Sequence, residues 1–219
     1  GNFGNVQVDE PKILNLQVIN QSSLCELTVI SLTRTAGDTD FSFAGLANGL
    51  TLPVTLPIGQ NIDLPIQFLP TGFTPPAKTA TFTLTTNDPN DSPLVFGVSG
   101  LSPAPEITVS GGLDFGTVCY DEGSAPEQTV TVCNGDGVNF LSVEAELVGA
   151  GCGDFAIEGN PFPADLSPDF CVPITVQYTP TGVGDHNACD LVITSNDPDE
   201  TEISIPASGS TPAQVIDVN

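Results

Sequence analysis

Tyr178-Thr-Pro-Thr-Gly182, a strand-like run to Ile193, Ser195-Asn-Asp-Pro198, Ile203-Ser-Ile205 and Gly209 form a series that occurs twice in this chain. The earlier copy reads Phe68-Leu-Pro-Thr-Gly72, a run from Ala80 to Leu84, Thr86-Asn-Asp-Pro89, Leu94-Val-Phe96 and Gly100. Asn87 to Asn196 and Gly100 to Gly209 are both 109 residues, and Phe68 to Tyr178 is 110. A period of this length means tandem domains, because each unit is long enough to bury a core of its own. The match extends outward. Phe3-Gly-Asn-Val6 corresponds to Phe115-Gly-Thr-Val118, and Pro103-Ala-Pro-Glu-Ile107-Thr-Val109-Ser110 to Pro212-Ala-Gln-Val-Ile216-Asp-Val218-Asn219. The expected organisation is a domain at 1–101 lacking its first strand, a complete domain at 102–210, and the first strand of a following repeat at 211–219. With no Met, the chain reads as a piece of a longer protein.

Within each unit the pattern is that of short strands. Ile13-Leu-Asn-Leu16-Gln-Val18, Gln128-Thr-Val130-Thr-Val132-Cys133 and Val172-Pro-Ile174-Thr-Val176 alternate apolar and polar residues. Residues 35–40 are polar and 161–169 read as loop. Pro53 breaks the run at 50–56 and assigns it to a sheet edge. Asn134-Gly-Asp-Gly137 is a tight-turn signal. About seven short strands per ~100 residues, with turn signals every 8–12, predict an all-β chain of two tandem immunoglobulin-like β-sandwiches. No segment carries a helical period.

Composition narrows the function. Asp and Glu number 27 against 3 Lys and Arg, a net charge of −24. That balance opposes nucleic-acid binding, which depends on Lys and Arg at phosphates, and docking on anionic lipid. No apolar run is long enough to span a bilayer, so no membrane insertion is expected. The six cysteines make no CxxC pair and the single histidine is His186, which disfavours zinc. Disulfides are the better reading, and they imply an oxidising, secreted or cell-surface location.

The residues of the second unit resemble the ASH family, the Hydin-type domain related to the major sperm protein fold. The likeness rests on Leu113-Asp-Phe-Gly-Thr-Val118, Val130-Thr-Val132-Cys-Asn134-Gly, Asp154-Phe155, Leu166-Ser-Pro168, Val176-Gln-Tyr178-Thr-Pro180, Gly184, Leu191-Val-Ile193-Thr-Ser-Asn-Asp-Pro198 and Ile205-Pro-Ala-Ser-Gly209. Asp169 stands where that family usually has Gly, a departure expected to affect only a turn. Domains of this pattern are similar to the choice-of-anchor repeats of large bacterial surface proteins and to domains of ciliary and centrosomal proteins. The resemblance implies a sandwich that acts as scaffold or binding module, with no catalytic motif.

Given immunoglobulin-like strand order, Cys133 ends a strand whose antiparallel neighbour opens at Cys171, and Cys152 follows a strand whose neighbour holds Cys189. Cys133–Cys171 and Cys152–Cys189 are therefore the expected bridges among 15 possible connectivities. Cys119 is a rival partner for Cys189, and Cys25 is expected unpaired. The Asn-Asp-Pro triplets at 87–89 and 196–198 read as self-capping hairpin bends. The alternative is calcium, with Asp88 and Asp91 at one tip and Asp197, Asp199 and Glu200 at the other, although neither tip has EF-hand spacing. His186 reads as an exposed turn residue. The adjacent pairs Asp121-Glu122 and Asp199-Glu200 read as solvated surface rather than a glycosidase pair. No catalytic and no cofactor-binding residue is expected. The expected function is a non-catalytic structural or adhesion-type spacer. The alternative is a module that binds calcium, glycan or a partner protein at loop tips or a sheet edge, including self-association by strand addition.

Overall fold

The computed structural model describes all residues except 75, 121–124, 136 and 217–219. The pair Asp121-Glu122, part of the 134–137 turn and the end of the 211–219 strand therefore lie outside the described residues. The chain divides into two units, Gly1–Ala104 and Pro105–Asn219. The division falls after Ala104 rather than Leu101. Ser102 still belongs to unit 1, donating its N–H to Thr74 Oγ1 (2.6 Å) and accepting the N–H of Thr74 (2.8 Å).

Unit 1 has one five-stranded sheet with β1 (Asn2–Asn5), β3 (Leu27–Gly37), β5 (Val54–Leu56), β7 (Lys78–Thr86) and β8 (Leu94–Leu101), in the order β1-β8-β7-β3-β5. A second sheet holds β2 (Lys12–Ile19), β4 (Phe41–Phe43) and β6 (Asn61–Phe68), in the order β2-β6-β4. Unit 2 repeats the plan. β10 (Leu113–Thr117), β12 (Leu141–Val148), β14 (Ala164–Leu166), β16 (Gly184–Ser195) and β17 (Glu202–Thr211) form a sheet ordered β10-β17-β16-β12-β14. The facing sheet is β13-β15-β11-β9, from β9 (Ile107–Gly111), β11 (Glu127–Asn134), β13 (Phe155–Glu158) and β15 (Cys171–Tyr178). Each unit is an immunoglobulin-like β-sandwich. Its core is formed by the residues that alternate inward, such as Val130, Val132, Ile174 and Val176 of unit 2, all fully buried.

Several expectations change. β3 runs through the polar residues to Gly37, because Ala36 and Gly37 still pair with β7, Thr35 at the register shift reaches Thr81 and Thr83 through its hydroxyl, and the exposed face needs no apolar side chains. The supposed loop 161–169 contains β14, which pairs with β12 and buries Leu166. Thr211 closes β17 opposite Gly184 instead of opening a further strand. As Pro53 suggested, β5 is an edge strand, paired only with β3.

The Phe-Gly-x-Val motif has a local cause. Phe and Val three apart would face opposite sides of a regular strand. Here Gly4 (φ 65°) and Gly116 (φ 62°) sit at register shifts in β1 and β10. This bulge turns Phe3 and Val6, and likewise Phe115 and Val118, into the core together. Asp169, where the resembled family has Gly, has φ 63°. The position requires a left-handed residue, and Asp is among the few others that adopt that conformation readily.

Candidate functional site

Three polar constructions recur or differ between the units, and they include every residue singled out from the sequence that the structure brings together.

The first lies beside the stacked aromatics. Phe3, Phe41 and Phe68 cluster in unit 1, with Phe41 and Phe68 centroids 4.5 Å apart; Phe115, Phe155 and Tyr178 do the same in unit 2, with Phe155 and Tyr178 at 5.0 Å. Next to each cluster a carboxylate holds the Pro-Thr-Gly bend. Asp40 accepts from Thr71 N–H (3.1 Å), Thr71 Oγ1 (3.2 Å) and Lys78 Nζ (2.6 Å). Asp154 accepts from Thr181 N–H (2.7 Å) and Thr181 Oγ1 (2.6 Å), and meets His186 Nδ1 at 2.6 Å. Burial pushes both carboxyls up, but these donors outweigh it and hold Asp40 and Asp154 below the ordinary carboxylate value. Asp40 in turn raises Lys78 above its ordinary value.

His186 is therefore not the exposed turn residue expected. Its side chain is 12% accessible, lies edge-on to Tyr178 at 5.7 Å, and its Nε2 sits 3.2 Å from the carbonyl of Gly182. An Asp against Nδ1 is the orienting half of a nucleophilic triad. Here, however, Nε2 meets a backbone carbonyl, an acceptor with no proton to give up. The group fastens a loop. Sequence reasoning missed it because Asp154 lies 32 residues away. The available signal was the place of Asp154 in the repeat, opposite Asp40.

The second construction is the Asn-Asp-Pro turn. Asn87 Oδ1 accepts from Thr28 N–H (2.8 Å) and Asn196 Oδ1 from Ser142 N–H (2.8 Å), so each amide extends the neighbouring strand's ladder. Asp88 Oδ1 caps the N–H groups of Asn90 (2.9 Å) and Asp91 (3.4 Å), and Asp197 Oδ1 caps that of Asp199 (3.2 Å). At the second tip Glu106, Asp197 and Asp199 each bring a carboxylate oxygen within 4.8 Å of the others. Among the described residues no such trio forms around Asp88 and Asp91, and Glu200 stands outside the trio at 197. Glu106 was not legible as a member, since it enters from the start of β9. The trio is the set that could hold a cation. Its buried member, Asp197, already accepts Ile107 N–H on Oδ2 (2.9 Å). Burial opposes its charge, but Ile107, the side chain and N–H of Asp199 and the N–H of Glu200 together lower it. Asp199 is raised because its side chain bonds to, and is repelled by, Asp197.

The third is covalent. Cys133 is bridged to Cys171 and Cys152 to Cys189, while Cys25 and Cys119 are exposed and free. Both bridges join neighbouring strands, β11 to β15 and the turn after β12 to β16. Among the described residues, no helix is long and apolar enough to cross a membrane.

No protein-family model matches this chain, and no curated protein matches it in sequence. Solved structures similar to it include the ASH/PapD-like domain 7 of human CEP192, at 12% identity and TM-score 0.39, covering 51% of this chain and 89% of that one. The C-terminal domain of the Streptococcus agalactiae AgI/II polypeptide BspA is similar at 10% identity and TM-score 0.36, over 94% and 95% of the two chains. The Vibrio cholerae VesB protease is similar at 10% identity and TM-score 0.35, and the match spans 90% of this chain but 63% of that one.

Proposed function

We propose that this chain is a non-catalytic structural or adhesion-type segment of a larger secreted or cell-surface protein, its two sandwiches serving as spacer modules. The observation that carries this reading is the shared use of polar side chains to hold loops. In both units a carboxylate, a threonine and a side-chain nitrogen lock the same bend, and an Asn-Asp-Pro turn locks the same hairpin. The best-placed titratable side chains hold loops in position. Two bridges in unit 2 support an oxidising location. Pulling the full chain by its ends tests the reading. Two discrete unfolding events are expected, the unit 2 event lengthening by roughly 13 nm on reduction, since a bridge keeps about 37 residues out of the extended path at ~3.5 Å each. Featureless extension at low force would remove the spacer role.

A further inference from the structure

We propose that Asn48 is a site of spontaneous covalent modification, where the main-chain nitrogen of Gly49 closes on the side-chain amide of Asn48 and ammonia leaves. The proposal is independent of the spacer reading.

An Asn-Gly step is open to this reaction because glycine has no side chain to shield its own nitrogen. The chain has two such steps, Asn48-Gly49 and Asn134-Gly135. Their surroundings are opposite.

Asn48 and Gly49 form an exposed turn between β4 and β5. Their φ angles are 57° and 71°, the positive values that a tight Asn-Gly turn requires. Leu50 N–H closes the turn on the carbonyl of Ala47 at 3.3 Å, a long bond. None of residues 47–49 is buried. A Cβ built on Gly49 would meet no atom within 4 Å. Among the described residues no hydrogen bond holds the Asn48 side chain. Leu46 and Leu52 pack against the core on either side, so the turn can open without unseating a strand.

Asn134-Gly135 has the same chemistry in a closed setting. Asn134 is fully buried, and its amide donates to the carbonyls of Asn139 (2.9 Å) and Leu166 (3.0 Å). The nitrogen that would attack, that of Gly135, donates its proton to the carbonyl of Glu106 (2.7 Å). Both reacting groups are held, so Asn134 reacts only from an opened form, populated at roughly 10⁻³ or less. The loop of unit 2 between β13 and β14 prevents the reaction differently. There Asn160 precedes Pro161, which has no N–H to attack. The Asn160 amide is also bonded at both ends, to the carbonyl of Ala145 and the N–H of Phe162.

The reaction needs only water and solvent base. Gly49 N–H gives up its proton, the N–Cγ bond forms, and the Cγ–N bond of the Asn48 amide breaks as ammonia departs with a proton. The five-membered imide then takes up one water at either carbonyl. One opening leaves an ordinary aspartyl residue, and the other routes the main chain through the side-chain carboxyl. Each adds one negative charge to a chain already at −24, in a turn where nothing has to repack. The converted fraction at residue 48 therefore records how long a copy has existed.

The test is incubation of the full chain at mildly alkaline pH, with a reduced and denatured sample alongside as the clock. Both are digested and weighed by mass spectrometry until the denatured chain has converted at both steps. In the native chain, the peptide holding Asn48 should shift by the mass difference between a hydroxyl and an amino group. The Asn134 peptide should lag by roughly a thousandfold and show no shift in that time. Asn48→Gln should abolish the first shift, and with it the extra charge seen by ion exchange. A native chain in which Asn48 stays intact overturns the proposal, because the fold then protects the turn. So does a native chain in which Asn134 converts as fast as Asn48, because burial then has no part in selecting the site.

Discussion

Substituting Gly209→Ala should destabilise unit 2 by about 2–3 kcal/mol, for a reason confined to one contact. Gly209 lies in β17 without a positive φ, so alanine meets no backbone strain there. A Cβ at this position would fall 2.5 Å from Cε1 and 2.6 Å from Cζ of Tyr178. The ring cannot move aside. It is fully buried, stacks on Phe155, leans on Phe115 and His186, and holds Thr211 Oγ1 through its hydroxyl at 3.3 Å. Ordinary carbon contact needs roughly 1 Å more, and overpacking of this kind costs ~1–3 kcal/mol. Loss of the hydroxyl bond adds ~1, and removing a strand glycine returns ~0.5. At roughly 4 °C per kcal/mol for a domain of this size, the midpoint should fall by about 8–12 °C. Calorimetry of the full chain is the assay, with the unit 1 transition as internal reference. In a Tyr178→Leu background the same alanine should be nearly neutral, giving a coupling of about 2 kcal/mol. An equal cost in both backgrounds, or less than ~0.5 kcal/mol in the natural one, would refute the argument.

Three further outcomes are expected. Replacing Cys152 and Cys189 by alanine should lower the stability of unit 2 by about 4 kcal/mol, from the 37-residue separation it closes, while unit 1 melts unchanged by calorimetry. Asp40 and Asp154 are depressed in the folded state, so their contribution is full above the unfolded carboxyl value of ~3.9 and is lost as pH falls through the folded values. Melts from pH 6 down to pH 2 should therefore fall steeply at the acid end, and Asp154→Asn should flatten the fall for unit 2 alone. Because Asp197 already accepts the N–H groups of Ile107 and Asp199, melts in millimolar calcium and in EDTA should coincide; a clear rise in calcium would make the trio with Glu106 a binding site.

The fold was legible because a sheet writes its pattern into neighbouring residues. Alternation in Val130-Thr-Val132 and Ile174-Thr-Val176 marks two strands, and the 109-residue offset doubles every such signal. The aspartates of the turn triplets were legible for the same reason, their capping bonds closing within a few residues, whereas the asparagines reach strands more than 50 residues away. What escaped was long-range or conformational. His186 and Glu106 acquire their roles from partners 32 and 91 residues away, on other elements. β14 is three residues long and is fixed by β12 alone, so its own residues carry little signal. The polar end of β3 is a strand because β7 runs beside it, which no property of Thr35 or Gly37 announces.

Comparing the units shows which parts of the plan are fixed by geometry and which by local chemistry. The bend next to the aromatic cluster keeps its carboxylate and its threonine, Asp40 with Thr71 and Asp154 with Thr181, because the carboxylate accepts both the N–H and the hydroxyl of that threonine. The nitrogen partner changes from Lys78 to His186, since only a donating group within reach of one carboxylate oxygen is required. The pair of facing strand residues Ile19 and Asn61 becomes Cys133 and Cys171, a position where the partners' Cα atoms approach to 4.0 Å and side chains can join directly. Gly100 and Gly209 do not vary, because a Cβ at either position would fall 2.5 Å from the ring of Phe68 or Tyr178. Tolerance to change therefore tracks the distance to the nearest rigid neighbour.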